Sequence, residues 1–232
     1  MDQTEQLINV GKAYIDAINN LSMDHPENVT HILDILDCVY PDPSYHFGIF
    51  IEEPPPNDAP THRCEQAWFH CYQGEEEPIM KRSYERENGR VYHWGNMCYL
   101  RFTFDLFNHL SIEPTKMGAW QAYLLSISKT LLPFSGSLYY TKRKLIFSHE
   151  QLKGISLSFQ PERILKLVNN DTDVSPSIQI MDKRTIVSCC HWNKWHGLIR
   201  ESAIITFLNG KVYLLEDFDE QVLFKYDCGI RY

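Results

Sequence analysis

The sequence predicts an α+β fold: two N-terminal helices, a β-rich middle holding one buried helix, and a C-terminal antiparallel β-meander. Three observations carry this prediction. Met117, Trp120, Leu124, Ile127 and Leu131 are spaced 3, 4, 3, 4, which draws one apolar stripe down an α-helix. Leu100, Phe102, Phe104 and Leu106 alternate with Arg101, Thr103 and Asp105, the period of a strand with one buried face. Asn88-Gly89 and Asn209-Gly210 each interrupt strand-like runs, and Asn-Gly is the strongest short hairpin signal because both residues tolerate positive φ.

In chain order, Thr4–Asn20 predicts a first helix, with Leu7, Val10, Tyr14, Ala17, Ile18 and Leu21 on its apolar face. Pro26–Val39 predicts a second, with Val29, Ile32, Leu33, Leu36 and Val39 facing inward and Pro41-Asp42-Pro43 ending it. Tyr45–Ile51 and Glu65–Tyr72 read as strands on either side of an acidic loop containing Pro54-Pro55-Pro56, read as a stiff surface segment. Met80–Glu87 and Arg90–His93 flank the first Asn-Gly turn.

The central helix occupies Pro114–Leu132, opened by Glu113-Pro114-Thr115 and stopped by Pro133. Gln121, Ser126, Ser128 and Lys129 fall mostly outside its stripe. Ser137–Tyr140 and Lys144–Phe147 read as short strands, Gly154–Phe159 as a weak one, and Pro161–Val168 as a short helix. Asn169–Ser177 is almost free of large apolar residues and reads as a linker. It divides an α+β part (1–170) from the meander (178–232), although a single body over 1–232 is expected, because a lone meander would be marginal. The meander strands are Ile178–Met181, Thr185–Trp192, Leu198–Leu208, Lys211–Asp217 and Gln221–Tyr226. The second Asn-Gly turn should pair Phe207 with Val212 and Ile205 with Leu214, and a further turn at Asp219-Glu220 should close another hairpin.

Composition bounds the function. With 232 residues, 44% hydrophobic and 22% charged, the chain can bury a real core. The 13 Tyr and 12 Phe favour strands. A net charge of −8 makes sequence-independent binding to nucleic acid or anionic membrane unfavourable and fits a basic protein partner. The polar, acidic start and the lack of a long apolar run lead to the expectation of a cytoplasmic protein. The seven cysteines are then reduced thiols.

The densest chemical cluster is Cys189-Cys190-His191-Trp192-Asn193-Lys194-Trp195-His196. Cys189, His191 and His196 are the nearest approach to a metal set, but three ligands fall short of the four a structural zinc site takes, so no metal and no cofactor are expected. His62, Cys64, His70 and Cys71, with His93 and Cys98 downstream, form a looser group that strand alternation splits between two faces. No glycine pattern cradles phosphate, and Gly-x-Ser-x-Gly is absent. Trp192, Trp195, Asn193 and Lys194 lie at a predicted hairpin tip, where tryptophans either anchor an interface or complete the core. Glu75, Glu76 and Glu77 crown an acidic loop. The expectation is a non-enzymatic, acidic, cytoplasmic protein-binding domain, immunity- or antitoxin-like in profile. The competing class is a hydrolase-type enzyme using cysteine, histidine and carboxylates in a cleft.

Overall fold

The computed structural model describes residues 2–19, 33–52, 66–73, 107, 109–131, 143–155, 172–182, 184–194 and 196–226. The expected elements at Met80–His93, Leu100–Leu106, Ser137–Tyr140 and Pro161–Val168 lie outside them. Among the described residues, helices pack against a largely antiparallel β-structure, an α+β arrangement.

Helix α1 spans Gln3–Asn19. Its buried residues Leu7, Gly11, Tyr14 and Ile18 follow the 4, 3, 4 spacing of one helical face. Of the expected second helix, only Leu33 and Asp34 are described as helical, and the chain is turning by Leu36, whose N–H donates to Leu33 O at 2.9 Å. Val39 opens strand β1, Val39–Pro41, rather than closing a helix. The reason is tertiary: Cys38 N donates to the Gln121 side chain at 2.8 Å and Cys38 O accepts from Glu113 N at 3.0 Å, bonds that a continuing helix would break. Strands β2 (Tyr45–Glu52) and β3 (Gln66–Gln73) pair antiparallel, from Tyr45 opposite Gln73 to Glu52 opposite Gln66. Strand β4 (Leu110–Ile112) pairs with β1.

Helix α2, Lys116–Leu131, is the centre of the molecule. Thr115 caps it, its hydroxyl accepting from Gly118 N at 3.0 Å. A Cβ on Gly118 would lie 2.0 Å from Glu113 O, so only glycine lets the entering chain pass this closely. Trp120, Leu124 and Ile127 are buried, as the stripe predicts. Gln121 and Ser128 are buried too, which corrects their placement outside the stripe: α2 is covered on all sides, with α1, the β1–β4 pair and the large sheet around it. Each buried polar group has partners. Gln121 accepts from Cys38 N and donates to Asp37 Oδ1 at 2.5 Å. The Ser128 hydroxyl pairs with Tyr14 OH and donates to Leu124 O at 2.9 Å.

The large sheet has five strands: β5 (Lys144–Ile146), β6 (Ser177–Met181), β7 (Arg184–Asn193), β8 (Gly197–Leu208) and β9 (Lys211–Phe224). The order is β5-β7-β8-β9, all antiparallel, and β6 continues the β5 edge of β7. Asn209 and Gly210 both have positive φ, at 52° and 74°, as the two-residue hairpin requires. Phe207 faces Val212 as expected, but a register shift between Thr206 and Phe207 moves Leu215, not Leu214, opposite Ile205. No turn forms at Asp219-Glu220: β9 runs on as one strand, because the long β8 offers paired backbone all the way to Leu198.

Strand alternation places Val187, Cys189, Ala203 and Ile205 in the core with α1 and α2, and Cys190, Trp192 and Leu198 in a second cluster on the opposite face. The second cluster is roofed by Leu152 of α3 (His149–Lys153), Ile155 and Val174. The sequence reading assigned no element to α3; Gln151 holds its start by accepting from Phe147 N at 2.6 Å and Ser148 N at 3.2 Å. The described part of the expected linker is tied to this face: Val174 is buried, and Arg200 donates to Asp173 O. Among the described residues, no helix is long and apolar enough to cross a membrane.

Candidate functional site

Five chemically competent side chains meet where α2 crosses the sheet. Tyr123 comes from α2, Arg143 from the residue before β5, Cys189 and His191 from β7, and Glu201 from β8. Cys189 and His191 are two residues apart and share a face, and Glu201 stands opposite Cys189 in register. Glu201 is 6% exposed. Its Oε2 accepts from Arg143 Nη1 at 2.5 Å, an ion pair, and its Oε1 accepts from Tyr123 OH at 3.2 Å. A carboxylate this buried needs such partners, since an unpaired charge in the interior costs several kcal/mol.

The electrostatics are those of a closed polar knot. Burial pushes the Cys189 thiol well up, reinforced by Cys190 and Glu201, so it stays protonated. Burial also raises the Tyr123 phenol well above its ordinary value, with the neighbouring Cys189 and Glu201 adding to the effect. His191, 2% exposed, is held down at about 3 by burial first and by the Arg143 and His196 charges second. Its Nδ1 has no hydrogen-bond partner among the described residues. A nucleophilic or metal-binding cysteine must be a thiolate, and an imidazole this weakly basic does not remove the thiol proton. The knot therefore joins α2, the segment entering β5 and the sheet, with burial holding Cys189 as a thiol.

The chain matches no protein-family model, no curated protein and no solved structure.

The residues singled out in the sequence are divided among different environments. Trp192 is core, not surface: it is 5% exposed, stacks on Phe224 with ring centroids 6.1 Å apart and lies 5.3 Å from the Tyr226 ring. Asn193 is buried and shapes the β7–β8 turn, its Oδ1 accepting from His196 N at 2.7 Å. Gly197 closes that turn at φ 91°, where a Cβ would lie 2.0 Å from Phe224 O. Lys194 is half-buried. His196 is exposed while His191 is buried, yet the turn leaves them close enough for the His196 charge to act on the His191 ring. Among the described residues no three His, Cys, Asp or Glu side chains are grouped to hold a metal ion. Cys38, Cys189 and Cys190 are free thiols. Trp195, Glu75, Glu76 and Glu77 lie outside the described residues.

The exposed features are ones the sequence reading missed. At the β8–β9 hairpin end, Leu208 and Tyr213 stand in solvent, Tyr213 at 62% exposure. Along β9, Asp219, Glu220, Gln221 and Val222 are exposed one after another. Reading a turn at Asp219-Glu220 hid this edge; uninterrupted apolar residues on both sides, Leu214-Leu215 and Val222-Leu223-Phe224, were the signal for one long strand.

Proposed function

We propose that this chain is a non-enzymatic protein-binding domain whose acidic surface meets a basic protein partner in the cytoplasm. The observation that carries the reading is the edge of β9, where Asp219, Glu220 and Val222 are exposed on a strand that has β8 as its one ladder partner among the described residues. An edge strand offers unsatisfied backbone groups, and carboxylates around it favour a cationic, extended segment. The excess of eight negative charges adds a long-range field of the same sign. Glu75, Glu76 and Glu77 add acidic side chains to the same reading by their charge alone, and Lys194 and Trp195 remain its candidate contact residues. Trp192 and Asn193 support the turn from beneath. Free thiols at Cys38, Cys189 and Cys190 support a reducing compartment. The state of the Cys189–Glu201–Tyr123 knot supports a structural role for the residues on which an enzymatic reading would rely.

The test is kinetic. After capture of a partner from the native lysate, association is measured against ionic strength for wild type and for Asp219→Lys/Glu220→Lys and Glu75→Lys/Glu76→Lys/Glu77→Lys. Each charge reversal should slow association and flatten its salt dependence, with dissociation little changed. Retention of no macromolecule, together with turnover of a small molecule in a substrate screen, refutes the reading.

A further inference from the structure

We propose that Asn209 is a self-modification site, at which Gly210 N attacks the Asn209 carboxamide and converts the residue to aspartate and isoaspartate. The inference stands on the β8–β9 hairpin and does not depend on the binding-protein reading.

The chemistry requires a carboxamide and a following backbone nitrogen that reaches its Cγ. A bond forms between Gly210 N and Asn209 Cγ. Gly210 N gives up its proton, and the carboxamide nitrogen leaves as ammonia, which closes a five-membered succinimide. Water then opens the ring. Attack at Cγ leaves aspartate. Attack at the main-chain carbonyl carbon of Asn209 leaves isoaspartate, with the chain routed through the former side chain. Water is the only other reactant.

The structure clears the way for this at the β8–β9 turn. Leu208 opposite Lys211 closes the ladder, so Gly210 N lies in the two-residue loop beyond the closing pair. Asn209 is exposed to water. Gly210 has no side chain to crowd the ring, and a Cβ added there would meet no atom within 4 Å. Two other asparagines carry the same carboxamide in settings that oppose the reaction. Asn193, in the β7–β8 turn, is 6% exposed, and its Oδ1 accepts from His196 N at 2.7 Å. The residue after it is Lys194, whose side chain crowds the attacking nitrogen. Asn9 lies inside α1, where the helical ladder commits the N–H of Val10.

The product changes the fold locally. Isoaspartate lengthens the backbone of a loop that fits two residues, both at positive φ. Gly210 O accepts from Ile112 N at 3.0 Å, the bond that clasps the hairpin to β4. A lengthened loop moves that carbonyl, so the clasp loosens.

The experiment needs only the purified chain, aged in mildly acidic and in mildly alkaline buffer. Peptide mapping by mass spectrometry follows Asn209, Asn193 and Asn9. Asn209 should convert at least about tenfold faster than either of the others, which corresponds to a barrier lower by about 1.4 kcal/mol. Conversion should be faster in the alkaline buffer, because the attacking nitrogen must lose its proton, and both aspartate and isoaspartate should appear. Asn209→Gly keeps a residue that accepts positive φ and lacks the carboxamide. Aged Asn209→Gly should keep its amide protection at Ile112, whereas aged wild type should lose protection there in proportion to its isoaspartate. Asn209 persisting as long as Asn193, or aspartate forming without isoaspartate, overturns the proposed site. Equal Ile112 protection in aged wild type and aged Asn209→Gly overturns the loosening of the clasp.

Discussion

Gly11→Ala sets two opposed effects of known size against each other. Gly11 lies inside α1, where replacing glycine by alanine ordinarily stabilises a helix by about 1 kcal/mol. Here the new methyl carbon would lie 2.6 Å from Phe147 Cζ and 3.1 Å from Trp120 Cζ2. Both rings belong to the main hydrophobic core. Both are buried, and they pack edge to face with centroids 6.2 Å apart. Trp120 is also tethered to α1 itself, its Nε1 donating to Leu7 O at 2.9 Å one turn before Gly11. The methyl must therefore push α1 away from α2, and overpacking of this kind costs about 1–3 kcal/mol. The overpacking outweighs the propensity gain, so Gly11→Ala should destabilise by roughly 1 kcal/mol net. Urea unfolding reads this as a lower midpoint at unchanged slope. Ala13→Gly, at an exposed position of the same helix, measures the propensity term alone and should cost about 1 kcal/mol. A Gly11→Ala protein at least as stable as wild type, with Ala13→Gly behaving as stated, would falsify the close packing of α1 on α2.

Three further outcomes follow from the core. Leu124→Ala, on the most enclosed helix, should cost about 2–5 kcal/mol by the same unfolding assay, and a variant as stable as wild type would mean the helix is not central. Gln121→Leu keeps volume but leaves Cys38 N unpartnered in the interior, so it should cost about 1–3 kcal/mol and raise amide exchange at Cys38; unchanged protection there would refute the role of the carboxamide. His191 should make stability acid-sensitive. Its folded value is depressed from 6.5 to about 3, so between those limits the unfolded chain binds a proton that the folded chain does not. Stability should fall as pH drops through that window, by up to about 1.4 kcal/mol per unit, with no contribution above it. Unfolding free energies of wild type and His191→Leu, compared from pH 7 to pH 4, should diverge by this slope; parallel curves would show that His191 is not held neutral.

Short-range pattern alone determined much of this architecture. The stripe from Met117 to Ile127 lies on a helix because apolar residues at 3 and 4 intervals can share a buried face in no other regular structure. Asn209-Gly210 makes its turn because those residues accept positive φ at little cost. The composition likewise determined the net charge of −8, which no folding step alters. Tertiary structure decided what depended on distant backbone. Gln121 and Ser128 look like surface residues until Cys38, Asp37 and Tyr14 supply their hydrogen bonds from 114 or fewer positions away. Val39 leaves a helical pattern because β4 pairs with it. Asp219-Glu220, a turn by local chemistry, stays extended because β8 offers a continuous ladder. Trp192 is interior because Phe224 and Tyr226 return beside it at the far end of the meander. The knot at Glu201 is the extreme case: its five residues span Tyr123 to Glu201, and only the crossing of α2 over the sheet brings a guanidinium to a carboxylate that burial would otherwise forbid.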